Sequence, residues 1–186
     1  MAIDDLIQDA TRRMDKSVEA AQAEFTTLRT GRASPALLDR LQIDYYGQKT
    51  PLKQLATINA PEPRLITVQP FDPSSLQSIE RAIQESDLGL TPSNDGKLIR
   101  LPIPQLTEER RKELVKIVRQ MAEDGRVAVR NVRRDVMHHL KELVDKGEVG
   151  SDEARRAEER VQKLTDENTH TIDELLQRKE AEILEV

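Results

Sequence analysis

The sequence predicts an α+β protein in which a long three-helix bundle carries an inserted, small β/α/β domain. All nine prolines lie between Pro35 and Pro104, so the flanking stretches are free of this helix breaker. Both flanks also place apolar residues at helical spacing over long distances. Helices that are apolar on one side only bury that side by packing together as a bundle. We therefore predict a bundle of residues 1–30 plus 106–186, interrupted by an inserted domain of residues 31–105.

Three helices are predicted for the bundle. In the first, apolar residues recur in helical steps at Ile3, Ile7, Ala10, Met14, Val18, Ala21, Phe25 and Leu28. This helix should run from about Ala2 to Leu28, where the nearby Gly31 supplies a stop. The second should begin at the N-cap Thr107 and end near Gly147, and the third should open at Ser151 and continue towards the C-terminus.

The middle of the chain predicts strands around one short helix. Leu41–Tyr45 alternates as a half-buried strand, and Leu65–Val68 and Leu98–Leu101 are more apolar strand candidates. Asp72 is a predicted N-cap followed by proline at the first helical position, and this helix should end near Gly89.

Two short connections join the inserted domain to the bundle. Glycine and proline stop the helix at the first connection, and prolines interrupt the second. Two such stops permit bending while limiting how far the domains can separate, so we predict a hinge. Its residues are Thr30, Gly31, Arg32, Pro102, Pro104 and Gln105.

The composition excludes several classes of protein. Cysteine is absent, which excludes disulfides and thiolate chemistry, and no apolar run has the length of a signal peptide or a membrane span. We expect a soluble, cytoplasmic protein. His138 and His139 are adjacent on a helix and point about 100° apart, while His170 belongs to another helix. No phosphate loop or nucleophile elbow is present, so we predict no catalytic residues, metal or cofactor.

The second long helix carries a basic face. Projected at about 100° per residue, eight cations fall within an arc of about 100°: Lys112, Lys116, Arg119, Arg126, Arg130, Arg133, Arg134 and Lys141. Glu123 is the one acid between Lys112 and Lys141 that enters this arc. A solvated face, paired with acids of neighbouring helices, is the ordinary explanation. Five of the eight are arginines aligned along a rod, which favours phosphate contacts to structured RNA.

Seven short motifs then point to one family. They are Thr30–Pro35, Tyr45–Gly47, Pro51-Leu52 with Gln54–Ala56, Ser86–Leu90, Ile99–Pro104, Leu106–Leu114 and Val127–Asp135. Together, in this order and spacing, they resemble the ribosome recycling factor family of bacteria across essentially the whole chain. Gly125 stands where that family usually has alanine, and Val136-Met137-His138 replaces its usual small and polar residues.

The resemblance implies an L-shaped monomer of tRNA-like dimensions and a role in translation. It implies that the protein binds the 70S ribosome after peptide release. With elongation factor G and the GTP hydrolysed by that factor, it would separate the subunits and release mRNA and tRNA. It also implies that Arg29, Arg130 and Arg133 contact large-subunit ribosomal RNA. With the basic face, the predicted RNA-binding residues are Arg29, Lys112, Lys116, Arg119, Arg126, Arg130, Arg133 and Arg134.

Two other functions remain open at the level of sequence. A helical protein adaptor would use its charged faces to pair with a partner protein. A generic structured-RNA-binding protein would use the same basic face without a role in recycling. An enzyme acting on RNA would need a cluster of carboxylates or histidines in the inserted domain, and the sequence offers none.

Overall fold

A computed structural model describes residues 3–184 as an α+β protein, which confirms the predicted fold class. In chain order its elements are α1 (Ile3–Thr27), β1 (Gln42–Tyr45), β2 (Gln48–Pro51), the one-turn α2 (Leu52–Leu55), β3 (Ala56–Glu62), β4 (Leu65–Pro70), α3 (Leu76–Glu85), β5 (Ser93–Asn94), β6 (Ile99–Pro102), α4 (Glu108–Asp145) and α5 (Ser151–Leu184). They form two compact units. The helical unit contains α1 to Arg29 and Glu109–Leu184, and the mixed unit contains Thr30–Glu108.

The three long helices begin and end close to their predicted bounds. The start predicted at Ala2 lies outside the described residues, and α1 ends at Thr27. Helix α4 begins one residue after Thr107, and α5 begins at Ser151 as predicted. None of the helices within residues 3–184 combines the length and apolar character needed to cross a bilayer.

The core of the helical unit consists of apolar residues from all three long helices. Met14 of α1, Leu114 and Leu140 of α4, and Val161 and Ile172 of α5 are fully buried. Burying each such side chain contributes about 1.5–3 kcal/mol relative to leaving it in water. This gain, rather than helix propensity, is what keeps such long amphipathic helices folded.

Gly125 lies in this core where α4 passes close to both of its neighbours. A Cβ added there would lie 3.1 Å from the Ala21 Cβ and 3.2 Å from the Ile172 Cδ1. Asn168 is a partly buried polar residue of α5, and it donates its Nδ2 hydrogen to the Leu164 carbonyl at 2.8 Å. A satisfied amide at the core edge therefore accounts for that residue.

The mixed unit contains a four-stranded antiparallel sheet in the order β3-β4-β6-β5. Strands β1 and β2 form a separate hairpin, and its turn at Tyr46-Gly47 has positive φ at both residues, 50° and 79°. That geometry matches the twist of a two-residue hairpin, and glycine supplies one of the two positions at no steric cost. The three predicted strands correspond to β1, β4 and β6, whereas β2, β3 and β5 were not predicted.

Helix α3 completes the core of the mixed unit. The Asp72 side chain accepts a hydrogen bond from the Ser74 N–H at 3.0 Å, which confirms the predicted cap. Pro73 opens a 3-10 turn rather than the α-helix itself, and α3 ends at Glu85 instead of near Gly89. Its fully buried side chains join those of the strands in one apolar cluster of Ile43, Ile66, Val68, Ile79, Ile83, Ile99 and Leu101.

Candidate nucleic-acid interface

Helix α4 displays most of the predicted basic face to solvent. The helix is continuous over 38 residues, so its cations follow one another along a single uninterrupted element. Those with exposed side chains are Lys112, Lys116, Arg119, Arg130, Arg134 and Lys141. Arg29, two residues beyond the end of α1, is also exposed. Such a row offers guanidinium and ammonium donors to a polyanion at intervals along the helix.

Arg126 differs from its neighbours because it is held between α4 and α5. Its side chain retains 20% of its accessible surface. Its Nε donates to Asp173 Oδ1 and its Nη1 donates to Glu123 Oε2, both at 2.8 Å. Burial opposes the charged form of Arg126, but these hydrogen bonds outweigh it and raise its pKa. Arg126 therefore ties the two helices together.

Arg130 and Arg133, one turn apart, each have one acceptor within the helical unit. Arg130 Nη1 donates to Glu123 Oε1 at 3.2 Å, and the side chain is 45% exposed. Arg133 is half-buried, and its Nη1 donates to the neutral Gln162 Oε1 at 3.1 Å. A guanidinium has five N–H donors, so each arginine keeps most of its donors for an outside ligand.

Another ion pair of this face joins an exposed arginine of α4 to a partly buried glutamate of α5. Arg119 Nε donates to Glu180 Oε1 at 2.7 Å, while the arginine side chain remains 66% exposed. Exposed pairs of this kind contribute about 0–1 kcal/mol, so a phosphate can replace the carboxylate at little cost.

A polar groove runs between α4 and α5 beside these arginines. Its volume is 440 Å³, and α4 contributes Arg126, Arg130 and Arg133 to its wall. Helix α5 contributes acceptors such as Asp166 and Asp173. The sequence pattern placed the cations on one face, but it did not reveal these partners, because they lie 29 to 47 residues away along the chain.

Comparison with known proteins decides the family. A family model described as ribosome recycling factor matches residues 21–184. The chain belongs to the ribosome recycling factor family. The resemblance noted in the sequence motifs is thereby confirmed.

Close relatives cover almost the entire chain. A ribosome-recycling factor of Rubrobacter xylanophilus is 59% identical over 180 residues, which are 97% of each chain. One of Halalkalibacterium halodurans is 56% identical over 182 residues, which are 98% of each chain. As a member of this family, the chain is a non-enzymatic translation factor.

Solved ribosome recycling factor structures share the fold. A solution structure of the ribosome recycling factor has a TM-score of 0.76 and 43% identity, and the match covers 100% of this chain and 99% of the other. A second neighbour belongs to models of the Thermus thermophilus factor and the Escherichia coli elongation factor G bound to the E. coli post-termination complex. Its TM-score is 0.65 at 49% identity, with 99% and 100% of the two chains covered.

The six predicted hinge residues of this ribosome recycling factor family member all lie in the mixed unit. The first connection is held there because the Ala33 N–H donates to the Pro63 carbonyl at 2.7 Å. The second is held there because the Ile103 N–H donates to the Arg64 carbonyl at 2.8 Å. Pro102 is the last residue of β6, and Pro104 and Gln105 are exposed. Their role as a hinge stays a prediction.

Thr30 and Gly31 are packed into the mixed unit. Thr30 is 4% exposed, and Gly31 has a φ of 78°. A Cβ at Gly31 would lie 2.8 Å from the Cγ of Leu106, the residue that follows the second connection. Arg32 is exposed.

His138 and His170 occupy helix surfaces. His138 Nε2 lies 3.3 Å from Glu142 Oε1, and His170 Nε2 lies 3.1 Å from Glu174 Oε1. Their side chains are 70% and 74% exposed. Among residues 3–184, histidines and carboxylates form no cluster of three or more that could hold a metal ion.

Proposed function

We propose that this protein binds the ribosome after termination through the basic face of α4. With elongation factor G and the GTP hydrolysed by that factor, it then separates the subunits, so that mRNA and tRNA are released. Family membership over nearly the whole chain supports this role. The solved neighbour bound with elongation factor G to a post-termination complex supports the choice of partners. The site of action is the cytoplasm, and the protein acts as a monomer.

The observation that carries the proposal is the availability of arginine donors on a chain whose total charge is negative. The net charge of −5 does not favour indiscriminate binding to nucleic acid. Exposed cations nevertheless follow one another along α4, and Arg130 keeps 45% of its side chain exposed. Contacts of this type grip phosphates and position a protein on structured RNA without reading its sequence.

The two units have separate tasks in this proposal. The helical unit, residues 1–30 plus 106–186 in the predicted division, holds large-subunit RNA. The inserted domain of residues 31–105 moves on the connections near Gly31 and Pro104. A GTPase that pushes one unit while the other is held on RNA transmits force to the contacts between the subunits.

Light scattering of post-termination ribosomes tests the proposal directly. The protein, elongation factor G and GTP should together lower the scattered intensity as 70S particles split. Arg133→Glu should abolish splitting and leave helicity intact, because a carboxylate repels the phosphate that the arginine binds. Arg155→Glu is the matched control, since Arg155 lies on α5 with 79% of its side chain exposed. Full splitting activity of a folded Arg133→Glu protein would refute the proposal.

The salt dependence of ribosome binding gives a second test. Removing an arginine that truly contacts a phosphate should lower the slope of log K against log salt concentration by about one. Binding that does not depend on salt, or a partner protein that remains bound after ribonuclease treatment in place of ribosomes, would favour a protein adaptor.

A further inference from the structure

Glu123 is the one acid within the predicted arc between Lys112 and Lys141, and it contacts two of the arginines there. Its Oε2 accepts from Arg126 Nη1 at 2.8 Å, and its Oε1 accepts from Arg130 Nη1 at 3.2 Å. The spacing explains this double contact, because residues three and seven positions ahead lie one and two turns further along the same face. A single carboxylate thus bridges an anchored arginine and an exposed one.

A residue of α5 holds the bridge formed by Glu123 in place. Arg126 Nε donates to Asp173 Oδ1 at 2.8 Å, so the Arg126 side chain is held between the two helices. Arg126 in turn holds Glu123, and its hydrogen bond is the main cause that lowers the pKa of that carboxyl group. Glu123 therefore stays ionised at neutral pH. The chain of contacts runs from Asp173 through Arg126 and Glu123 to Arg130.

Arg130 is restrained by this chain without being hidden by it. Its side chain remains 45% exposed and its contact with Glu123 uses a single Nη1 donor. Arg133 has a parallel arrangement, because it donates to Gln162, which donates to Asp166 at 2.9 Å. In both cases the structure holds a guanidinium in place and leaves an edge of donors for an outside anion.

We propose that Glu123 is a positioning residue, which holds the Arg130 guanidinium ready for a phosphate of ribosomal RNA. This inference rests on the proposed function, in which Arg130 contacts the RNA. An arginine that is already ordered loses less side-chain entropy when it binds. A carboxylate beside a phosphate site also repels the phosphate, so Glu123 has two opposite effects. In our proposal the ordering outweighs the repulsion.

Two substitutions at Glu123 separate these effects. Glu123→Gln removes the charge and replaces one of the two acceptor oxygens with an NH2 donor, so that the contact with one of the two arginines is lost. Glu123→Asp retains the charge, but its shorter side chain loses the reach to Arg130. If ordering dominates, both variants should bind purified bacterial 70S ribosomes about three- to tenfold more weakly. If repulsion dominates, Glu123→Gln should bind more tightly and Glu123→Asp should bind unchanged.

Asp124→Asn is the matched control. Asp124 is the next residue of α4 and is exposed, and its carboxylate accepts from Gln120 Nε2 rather than from an arginine. This variant makes the same change in net charge as Glu123→Gln. Its affinity for ribosomes should stay within about twofold of the unsubstituted protein, since an exposed charge off the face is screened by salt.

A double-mutant cycle with Arg130 completes the experiment. Arg130→Ala alone should weaken binding and lower the salt slope by about one. Glu123→Gln alone should weaken binding without changing the slope, because the number of phosphate contacts stays the same. In the Arg130→Ala background, Glu123→Gln should cause no further loss, a result that general destabilisation of the bundle would not produce. Circular dichroism of each variant confirms that it is folded.

The outcomes distinguish this inference from the function on which it rests. If ribosomes do not bind, or if Arg130→Ala binds unchanged, the proposed RNA contact fails and the inference fails with it. If Arg130→Ala binds weakly while both Glu123 variants bind as tightly as the unsubstituted protein, only the inference fails. Tighter binding by Glu123→Gln, or additive losses in the cycle, would also overturn it.

Discussion

Replacing Gly31 with alanine should destabilise the mixed unit for two separable reasons. The residue has a φ of 78°, in the left-handed region where a Cβ crowds the backbone. The added Cβ would also lie 2.8 Å from the Leu106 Cγ and 3.2 Å from its Cδ1. Contacts between carbon atoms are favourable only from about 3.5 Å, so Leu106 must move.

The strained backbone and the clash with Leu106 lower the free energy of unfolding by different amounts, and a comparison with Gly89 separates the two losses. The left-handed conformation costs about 1–2 kcal/mol for a residue with a Cβ. Overpacking against Leu106 adds about 1–3 kcal/mol, which gives a total loss of about 2–5 kcal/mol. Gly89 has a φ of 70°, and no heavy atom lies within 4 Å of its added Cβ. Gly89→Ala should therefore lower the free energy of unfolding only by the conformational cost of about 1–2 kcal/mol.

Tyrosine fluorescence during urea unfolding of the full chain measures this difference. The protein has no tryptophan, and its two tyrosines, Tyr45 and Tyr46, both lie in the mixed unit. Their signal thus reports the unfolding of that unit, whereas far-ultraviolet circular dichroism is dominated by the long helices. Equal losses for Gly31→Ala and Gly89→Ala would refute the argument. So would strictly additive losses when Leu106→Ala is combined with Gly31→Ala, because the smaller side chain should relieve the clash.

Three further predictions concern stability. Gly125→Ala should fail to raise the melting temperature, although alanine favours a helix by about 1 kcal/mol, because the new Cβ is 3.2 Å from Ile172 Cδ1. The same change should be better tolerated when it is combined with Ile172→Val. A higher melting temperature for Gly125→Ala alone would contradict this account. Hydrogen bonds from the Leu98 and Lys97 N–H groups lower the pKa of Asp95 in the folded protein below its usual 3.8. The ionised Asp95 carboxylate therefore stabilises the folded protein above pH 3.8, and this stabilisation is lost as the pH falls through the lowered pKa of the folded state. Urea midpoints from tyrosine fluorescence should therefore decline more steeply below pH 3.8 than those of Asp95→Asn, and parallel pH profiles would be inconsistent with this. Leu140→Ala, at a fully buried position, should cost about 2–5 kcal/mol by urea unfolding followed by circular dichroism, and a loss below about 1 kcal/mol would mean that the site is not packed as described.

The long helices could be predicted because their stabilisation repeats along the chain. In α4 the apolar positions from Leu114 to Leu140 recur at the helical period, and the structure buries them. The strands were predictable only where they are apolar. Strand β3 is mostly exposed and contains Ala60-Pro61, so its sequence lacks the alternation of a half-buried strand. Its pairing with β4, rather than its own composition, makes it a strand.

The candidate site was likewise predictable from the sequence only in part. Helical geometry alone places Arg126, Arg130 and Arg133 on one face of α4, as predicted. It does not distinguish Arg126, which is held by Asp173 of α5, from Arg130, which remains exposed. Glu123, the acid that the sequence places within the arc, bridges Arg126 and Arg130. Its spacing from both was the signal that the sequence offered.

By itself, the sequence determined the fold class, the three long helices and the face on which α4 carries its cations. These features follow from the regular spacing of apolar and basic residues, and that spacing can be read from residues that are close together along the chain. Only the tertiary structure decided which cations are anchored and which are presented, and which glycines face a packed neighbour. Those outcomes depend on side chains tens of residues apart being brought within about 3 Å of each other, the distance at which hydrogen bonds form and carbon atoms clash.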